Sequence, residues 1–322
     1  MKILVTGGMG FIGHHVVEML EQHGHDVVII DNETTYGIID RRELHRLMEE
    51  RSRQIQTTRI YGHDIQDATN VEWVYARYEP DLVIHLASFP RQKVVNANPA
   101  VGSRTMSEGL LNLLELNRKY RVEKFVYISS SMVYGDFPNG TTEDRACDPQ
   151  GQYGVLKLAG EWLTRDYARR TGMNYTILRP SAVYGPVDVE DRVISKFLLT
   201  AMRGGEIQVN GANESLDFTY VTDTARGIVL AALSDAANGK TYNITRGVSR
   251  SLLEAAELAV RIAGSGTIAV RDPSADFPSR GQLDISRARE DFGFSPAIDI
   301  EQGFQQYYEW LANSLYRDKK AV

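Results

Sequence analysis

A single cysteine, Cys147, is all the thiol chemistry available to this chain of 322 residues. No internal disulfide can form, and thiolates alone cannot build a metal site. Such cysteine usage fits a reducing, cytoplasmic setting. Long apolar runs are missing too. No stretch approaches the ~18 apolar residues of a membrane span, and the first apolar run, residues 3–5, is too short for the core of an export signal. Positive charge is in deficit: 36 Lys and Arg stand against 42 Asp and Glu, a net −6. That balance argues against nucleic acid or an anionic membrane as partner. Internal repeats and long like-charge blocks are absent. The most basic stretch, residues 41–53, interleaves its arginines with Glu43, Glu49 and Glu50, and Leu44, Leu47 and Met48 fall at helical spacing. It reads as a solvated amphipathic helix, with a phosphate-binding patch as the alternative.

What is present is an alternation. Short continuous apolar runs at residues 3–5, 27–30, 82–86, 125–128 and 175–178, with a weaker one at 59–61, are separated by amphipathic patterns at 108–116 and 155–168. Strands without polar alternation are buried on both faces, so the pattern predicts an α/β protein with a doubly wound parallel sheet. After Pro180 the rhythm becomes irregular, with helical patterns at 192–203, 251–263 and 302–315. The expected organisation is a cofactor domain of residues 1–178 plus about 214–245. A smaller interleaved α/β lobe of about 179–213 plus 246–322 would bind substrate.

The glycines matter by position. Gly7, Gly8, Gly10 and Gly13 follow the first strand and open the first helix. Glycine there permits a sharp turn and close backbone approach to a pyrophosphate, and the helix N-terminus offers unpaired N–H groups to the phosphates. Phe11 and Ile12 lie within this turn. The second strand ends at Asp31, 18 positions after Gly13. A carboxylate at about that distance accepts the ribose hydroxyls and repels a 2′-phosphate, which favours NAD over NADP. A purely structural glycine turn is the alternative.

Tyr153 and Lys157 are spaced i, i+4 on one helix face. A tyrosine of ordinary pKa is a poor base at neutral pH, but a neighbouring ammonium and the helix dipole favour the phenolate. The pair falls about two dozen residues after the strand at 125–128, whose end carries Ser129, Ser130 and Ser131. In an open parallel sheet that end faces the ligand crevice. A surface pair and a helix-capping serine are the ordinary explanations of these residues.

Together these residues resemble the extended short-chain dehydrogenase/reductase family, in its NAD-dependent sugar epimerase/dehydratase branch. The resemblance also runs through Asp31-Asn32, Gly62 to Ile65, His85-Leu86-Ala87, Val133-Tyr134-Gly135, Leu178-Arg179-Pro180, Tyr184-Gly185-Pro186, Asp217-Phe218 and Arg280. It implies Ser130, Tyr153 and Lys157 as the catalytic set. It implies NAD contacts at Asn32, Asp64, Ile65, Leu86, Ala87 and Ser88, and a homodimer built on the helices near 110–116 and 156–168. Substrate contacts are expected at Ser130, Ser131, Tyr153, Arg192 and Arg280, with Arg91 and Lys93 as further loop cations. The dehydratases and uronate decarboxylases of the branch carry acidic residues just after the catalytic hydroxyl; here those positions are Ser131 and Met132. Three positions depart from the branch: Ala182 replaces an asparagine, Leu216 an arginine and Gln282 an aspartate. The implied activity is nucleotide-sugar epimerisation at C4. A dehydrogenase that stops at the ketone, and a non-catalytic NAD sensor, remain open. His14, His15, His23 and His25 cluster, but adjacent residues of a helix do not share a face, so no metal is expected.

Overall fold

The computed structural model describes residues 1–35, 37–89, 91–188, 192–273 and 278–314. Strands β1 (Lys2–Thr6), β2 (Asp26–Ile30), β3 (Ile60–Tyr61), β4 (Leu82–His85), β5 (Lys124–Ile128) and β6 (Asn174–Pro180) join the strand Lys240–Ile244 in one sheet. The order is Lys240–Ile244, β6, β5, β4, β1, β2, β3, and every pairing is parallel. The apolar runs of β1, β2, β4 and β5 are buried on both sides, as the lack of polar alternation predicts, while the weaker edge strand β3 is half-buried. One face is closed by α1 (Gly13–Gln22) and the helix Val221–Leu233. The other is closed by α3 (Ala68–Tyr78), α6 (Gly109–Tyr120) and α7 (Gln152–Thr171). Strand order reverses between β1 and β4, so a crevice opens beyond their C-terminal ends.

The second apolar core gathers Ile194, Phe197 and Leu198 of α8 (Val193–Met202) with Ala255, Ala256 and Ala259 of the helix Leu252–Ala263. Phe304, Tyr307 and Leu311 of the helix Ile300–Asn313 complete it. The parallel strands Glu206–Asn210 and Thr267–Arg271 lie alongside.

Two findings differ from the sequence expectation. The chain between β4 and α6 is not a plain loop: it forms the short helices α4 (Gln92–Ala97) and α5 (Pro99–Ser103), then a π-type turn at Arg104–Glu108. The basic stretch forms α2 (Arg41–Ser52), but it is not solvated all round. Glu43, Leu47 and Arg51 are buried on one stripe. Arg51 donates to the carbonyls of Met9 (2.9 Å) and Val187 (2.8 Å), so it braces the glycine turn from behind.

Candidate functional site

The glycine turn closes on itself. Gly10 N–H donates to Gly7 O at 3.0 Å, and Gly7 N–H donates to Ile30 O at 2.8 Å. Gly7 has φ +72°, and a Cβ there would lie 2.6 Å from Ala87 N. A Cβ on Gly13 would lie 2.0 Å from Gly7 O. Backbone thus meets backbone where a pyrophosphate cradle needs it to. Thr6 O accepts from both Leu86 N and Ala87 N at 3.0 Å, which fixes the β4 end beside the turn. Ser88 continues that segment, its hydroxyl donating to Phe89 O.

Asp31 sits where the dinucleotide reading needs a carboxylate. Oδ2 accepts from Met9 N (2.9 Å) and Oδ1 from Glu33 N (2.8 Å), and burial lifts its pKa from the ordinary aspartate value. The remaining lone pairs suit a ribose diol. Asn32 Nδ2 donates to Asp64 Oδ2 at 2.9 Å, which brings the second pair of expected contacts together. Ile65 is buried beside them, against Gly109 of α6. These residues fit NAD. Asp31→Asn keeps an acceptor for Met9 N but removes the charge. We expect selectivity for NAD over NADP to fall about tenfold or more, because like-charge contact is what rejects the 2′-phosphate. Paired Kd measurements check this, and an unchanged ratio counts against the ribose assignment.

β5 ends in the three serines. Ser130 caps the 3₁₀ turn Ser131–Tyr134, its Oγ accepting from Met132 N at 3.2 Å. The same hydroxyl lies beside the Tyr153 phenol. Tyr153 enters in the first turn of α7, packed against Phe89, Val94, Val95 and Met106. Burial raises its phenol above the usual value, while the Ser130 hydroxyl and the Arg192 charge lower it. Lys157 is buried; Nζ donates to Ile128 O at 2.8 Å and lies 5.9 Å from the Tyr153 ring centroid. Desolvation pulls the ammonium down to about 7. Arg192 adds its positive charge to the surroundings of the phenol, which the sequence did not anticipate.

Ser131 and Met132 are buried. Ser131 Oγ donates to Ser181 Oγ at 3.0 Å, and Met132 Sδ lies 3.8 Å from Arg280 Nη1. Desolvation pulls Arg280 down to about 10, opposed by Glu214, and its Nε has no acceptor among the described residues. An unsatisfied guanidinium next to the serine segment is suited to an anionic ligand. The segment carrying it is pinned by Asp217, which accepts from Leu283 N (3.2 Å), Gly247 N (3.1 Å) and Thr245 Oγ1 (2.9 Å).

Arg192 precedes α8, 2.5 Å from Asp188 through Nε and 5.5 Å above the Phe11 ring. Arg91 approaches the same buried carboxylate at 4.0 Å. Both are therefore structured cations of the crevice rather than surface residues, while Lys93 is exposed on α4. Ala182 keeps a left-handed φ of +38°, a conformation asparagine tolerates better than alanine. Leu216 is buried in the second apolar core, with α8 and the helix Leu252–Ala263, although the expected boundaries put it in the cofactor domain. Gln282 N–H donates to Asn139 Oδ1 at 2.7 Å. His14 and His15 are both buried, their ring centroids 4.0 Å apart, and desolvation holds both well below the usual histidine value.

Sequence missed Arg51, although it continues the stripe of Glu43 and Leu47 at i+4, a signal that was available. It also missed Asp188, four residues before Arg192, and the pairing of Glu161 with Arg179, which stand 18 positions apart.

The chain and its fold are similar to known proteins. The model of the NAD dependent epimerase/dehydratase family matches residues 3–245. An uncharacterized UDP-glucose epimerase of Bacillus subtilis (strain 168) is 31% identical over 98% of this chain and 99% of its own length. A dTDP-glucose 4,6-dehydratase of Streptomyces niveus is 30% identical over 100% of this chain and 94% of its own. A crystal structure of UDP-glucuronic acid 4-epimerase from Bacillus cereus, in complex with UDP-glucuronic acid and NAD, superposes with a TM-score of 0.89. It is 27% identical and covers 97% of this chain and 99% of the other.

Proposed function

Because the chain belongs to the NAD-dependent epimerase/dehydratase family, we propose that it is a nucleotide-sugar epimerase acting at C4 through a transient 4-keto sugar. The carrying observation is the Ser130–Tyr153–Lys157 set with Ser131 and Met132 after Ser130, where neither side chain is a carboxyl able to serve as acid or base in an elimination. Removal of water from a sugar needs an acid and a base at the adjacent carbons, and a buried hydroxyl pair with a thioether supplies neither.

In this reading Tyr153 Oη takes the proton of the 4-hydroxyl, and Ser130 Oγ, beside that phenol, holds the same substrate oxygen. Lys157 Nζ, fixed on Ile128 O, holds the nicotinamide ribose. NAD, when bound, supplies reversible hydride acceptance. The lobe lets the ketone present its other face, and Tyr153 returns its proton to the new hydroxyl. Arg280 takes a phosphate of the nucleotide. Arg280→Met is expected to raise KM about tenfold or more with kcat little changed, since a charge-assisted contact is lost in ground and transition states alike. Steady-state kinetics check this, and a change confined to kcat would contradict it.

A dehydrogenase that stops at the ketone uses the same residues. Incubation with a panel of UDP- and dTDP-sugars, with product analysis, separates the two. An epimer without net NADH is expected; accumulated ketone with stoichiometric NADH and no epimer would overturn the proposal. A non-catalytic sensor is disfavoured by the intact Ser130, Tyr153 and Lys157, and any turnover dependent on Tyr153 rejects it.

We further infer a homodimer built on α6 and α7. Val155 and Trp162, seven residues apart on α7, are 50% and 64% exposed, an apolar stripe that a second copy would cover. Trp162→Glu is expected to convert the dimer to a monomer in light scattering, and an unchanged dimer mass would place the interface elsewhere. Among the described residues no helix is long and apolar enough to cross a membrane, and a cytoplasmic setting is part of this proposal.

A further inference from the structure

Glu161 lies one turn after Lys157 on α7, so the two side chains share a face. It is fully buried, with 0% exposure. Its Oε1 accepts from Ser129 Oγ (2.6 Å) and Arg179 Nε (2.8 Å). Its Oε2 accepts from Arg179 Nη2 (2.6 Å) and Arg165 Nη2 (3.0 Å). Arg179 in turn donates through Nη1 to Tyr134 OH at 2.9 Å, and Tyr134 OH donates to Asn243 Oδ1 at 2.8 Å. The ion pair therefore grips the chain on both sides of Ser130, at Ser129 before it and at Tyr134 after it. Ser129 is also the residue next to Ile128, whose carbonyl holds Lys157.

Stability gives little reason for such a pair. Desolvating two charges offsets most of their attraction, and apolar residues of similar shape serve a core as well. We propose that the buried Glu161–Arg179 pair is a positioning device that fixes the Ser130 segment and stands behind Lys157 as its counter-charge. It rests on the reading of Ser130, Tyr153 and Lys157 as the catalytic set.

The electrostatics follow from the neighbours. Lys157 is faced by Tyr153 and Glu161 from α7, by Tyr127 from β5 and by His85 from β4. Burial and the nearby lysine pull His85 down to about 3, so it is uncharged at neutral pH. Of these groups Glu161 is the one that opposes desolvation of the ammonium. Around Glu161 stand Arg179, Arg165, Tyr127 and Cys147. Removing the carboxylate leaves two guanidiniums without their counter-ion, and both then act against a third cation on the same face. Lys157 must lose its proton at lower pH.

Two variants test this in the NAD-loaded protein. Glu161→Gln is followed by NMR of isotope-labelled lysine, with the Lys157 signal identified by its loss in Lys157→Met, and by the pH profile of kcat. The Lys157 midpoint is expected to fall by about one pH unit or more, and the alkaline limb of the profile to move with it. Ser129→Ala keeps the ion pair and removes only the tether. Its Lys157 midpoint is expected to stay, while kcat drops roughly tenfold at unchanged KM, since a small misplacement of a reacting group is costly. An unchanged midpoint and alkaline limb in Glu161→Gln, or a kcat within about twofold of wild type in Ser129→Ala, would overturn the proposal. If Glu161→Gln does not fold, Ser129→Ala decides. Absence of turnover on every nucleotide sugar would remove the epimerase reading but leave the midpoint comparison standing.

Discussion

Tyr153→Phe is expected to lower kcat by about a thousandfold while leaving the KM of the nucleotide sugar within a few fold. The loss follows from removing the atom that moves the proton, since positioned acid–base groups contribute roughly 10²–10⁴-fold. KM is spared because the ring stays packed on Phe89, Val94, Val95 and Met106, so ground-state binding keeps its surface. The pH dependence gives an independent sign. Burial raises the phenol, and the Ser130 hydroxyl and Arg192 charge lower it. Ser130→Ala removes one of the two lowering influences, so the acidic limb of kcat/KM moves to higher pH, and activity at neutral pH falls further than the lost hydrogen bond alone would require. Arg192→Met moves the limb the same way. Titration of the phenolate absorbance, carried beyond the ordinary phenol value of about 10, reads both effects. A Tyr153→Phe enzyme with near wild-type kcat would assign the proton to another group, and a limb that moves downward in Ser130→Ala would mean that the serine favours the neutral phenol.

These expectations show which parts of the site were local enough to read. The glycine turn and the Tyr153–Lys157 pair were legible because each is set by short-range geometry: close backbone approach in one case, helical spacing in the other. Asp31 was legible through its distance from Gly13. Arg192 was named as a cation, but its control of the Tyr153 phenol was not, because that depends on how α8 docks above Phe11. Glu161 and Arg179 stand 18 positions apart and meet only because α7 and β6 pack together. Arg51 lay in a stretch whose acidic neighbours suggested solvent, yet its i+4 relation to Leu47 marked the buried stripe. In the fold, α3 carries Val71, Val74, Tyr75 and Tyr78 at helical spacing and is capped by Asp67. It was readable and was passed over. By contrast α4 and α5 are too short for periodicity to declare them.

Gly13→Ala is expected to yield folded protein that retains no NAD. The new Cβ would stand 2.0 Å from Gly7 O and 2.9 Å from Gly8 Cα. Both are backbone atoms of the same turn, so no side-chain rotation relieves the clash. Gly7 is itself fixed at φ +72° against Ala87 N, with its N–H on Ile30 O. The strain must therefore be released by opening the turn, which breaks the Gly10 N–H to Gly7 O bond and swings the α1 N-terminus away from the pyrophosphate. Overpacking of this kind costs about 1–3 kcal/mol. In a chain of this size each kcal/mol is worth roughly 2–4 °C, so the thermal midpoint of the NAD-free protein falls by about 2–12 °C. The holo-protein loses more, because the stabilisation that bound cofactor adds by mass action disappears with it. The binding loss outweighs the folding loss, since the turn is a small part of the core but the whole of the phosphate cradle. Mass spectrometry of co-purified nucleotide, together with melting curves with and without added NAD, separates the two effects. A Gly13→Ala protein that copurifies with stoichiometric NAD would show that the cradle tolerates the methyl group, and the pyrophosphate would have to be placed elsewhere along the crevice.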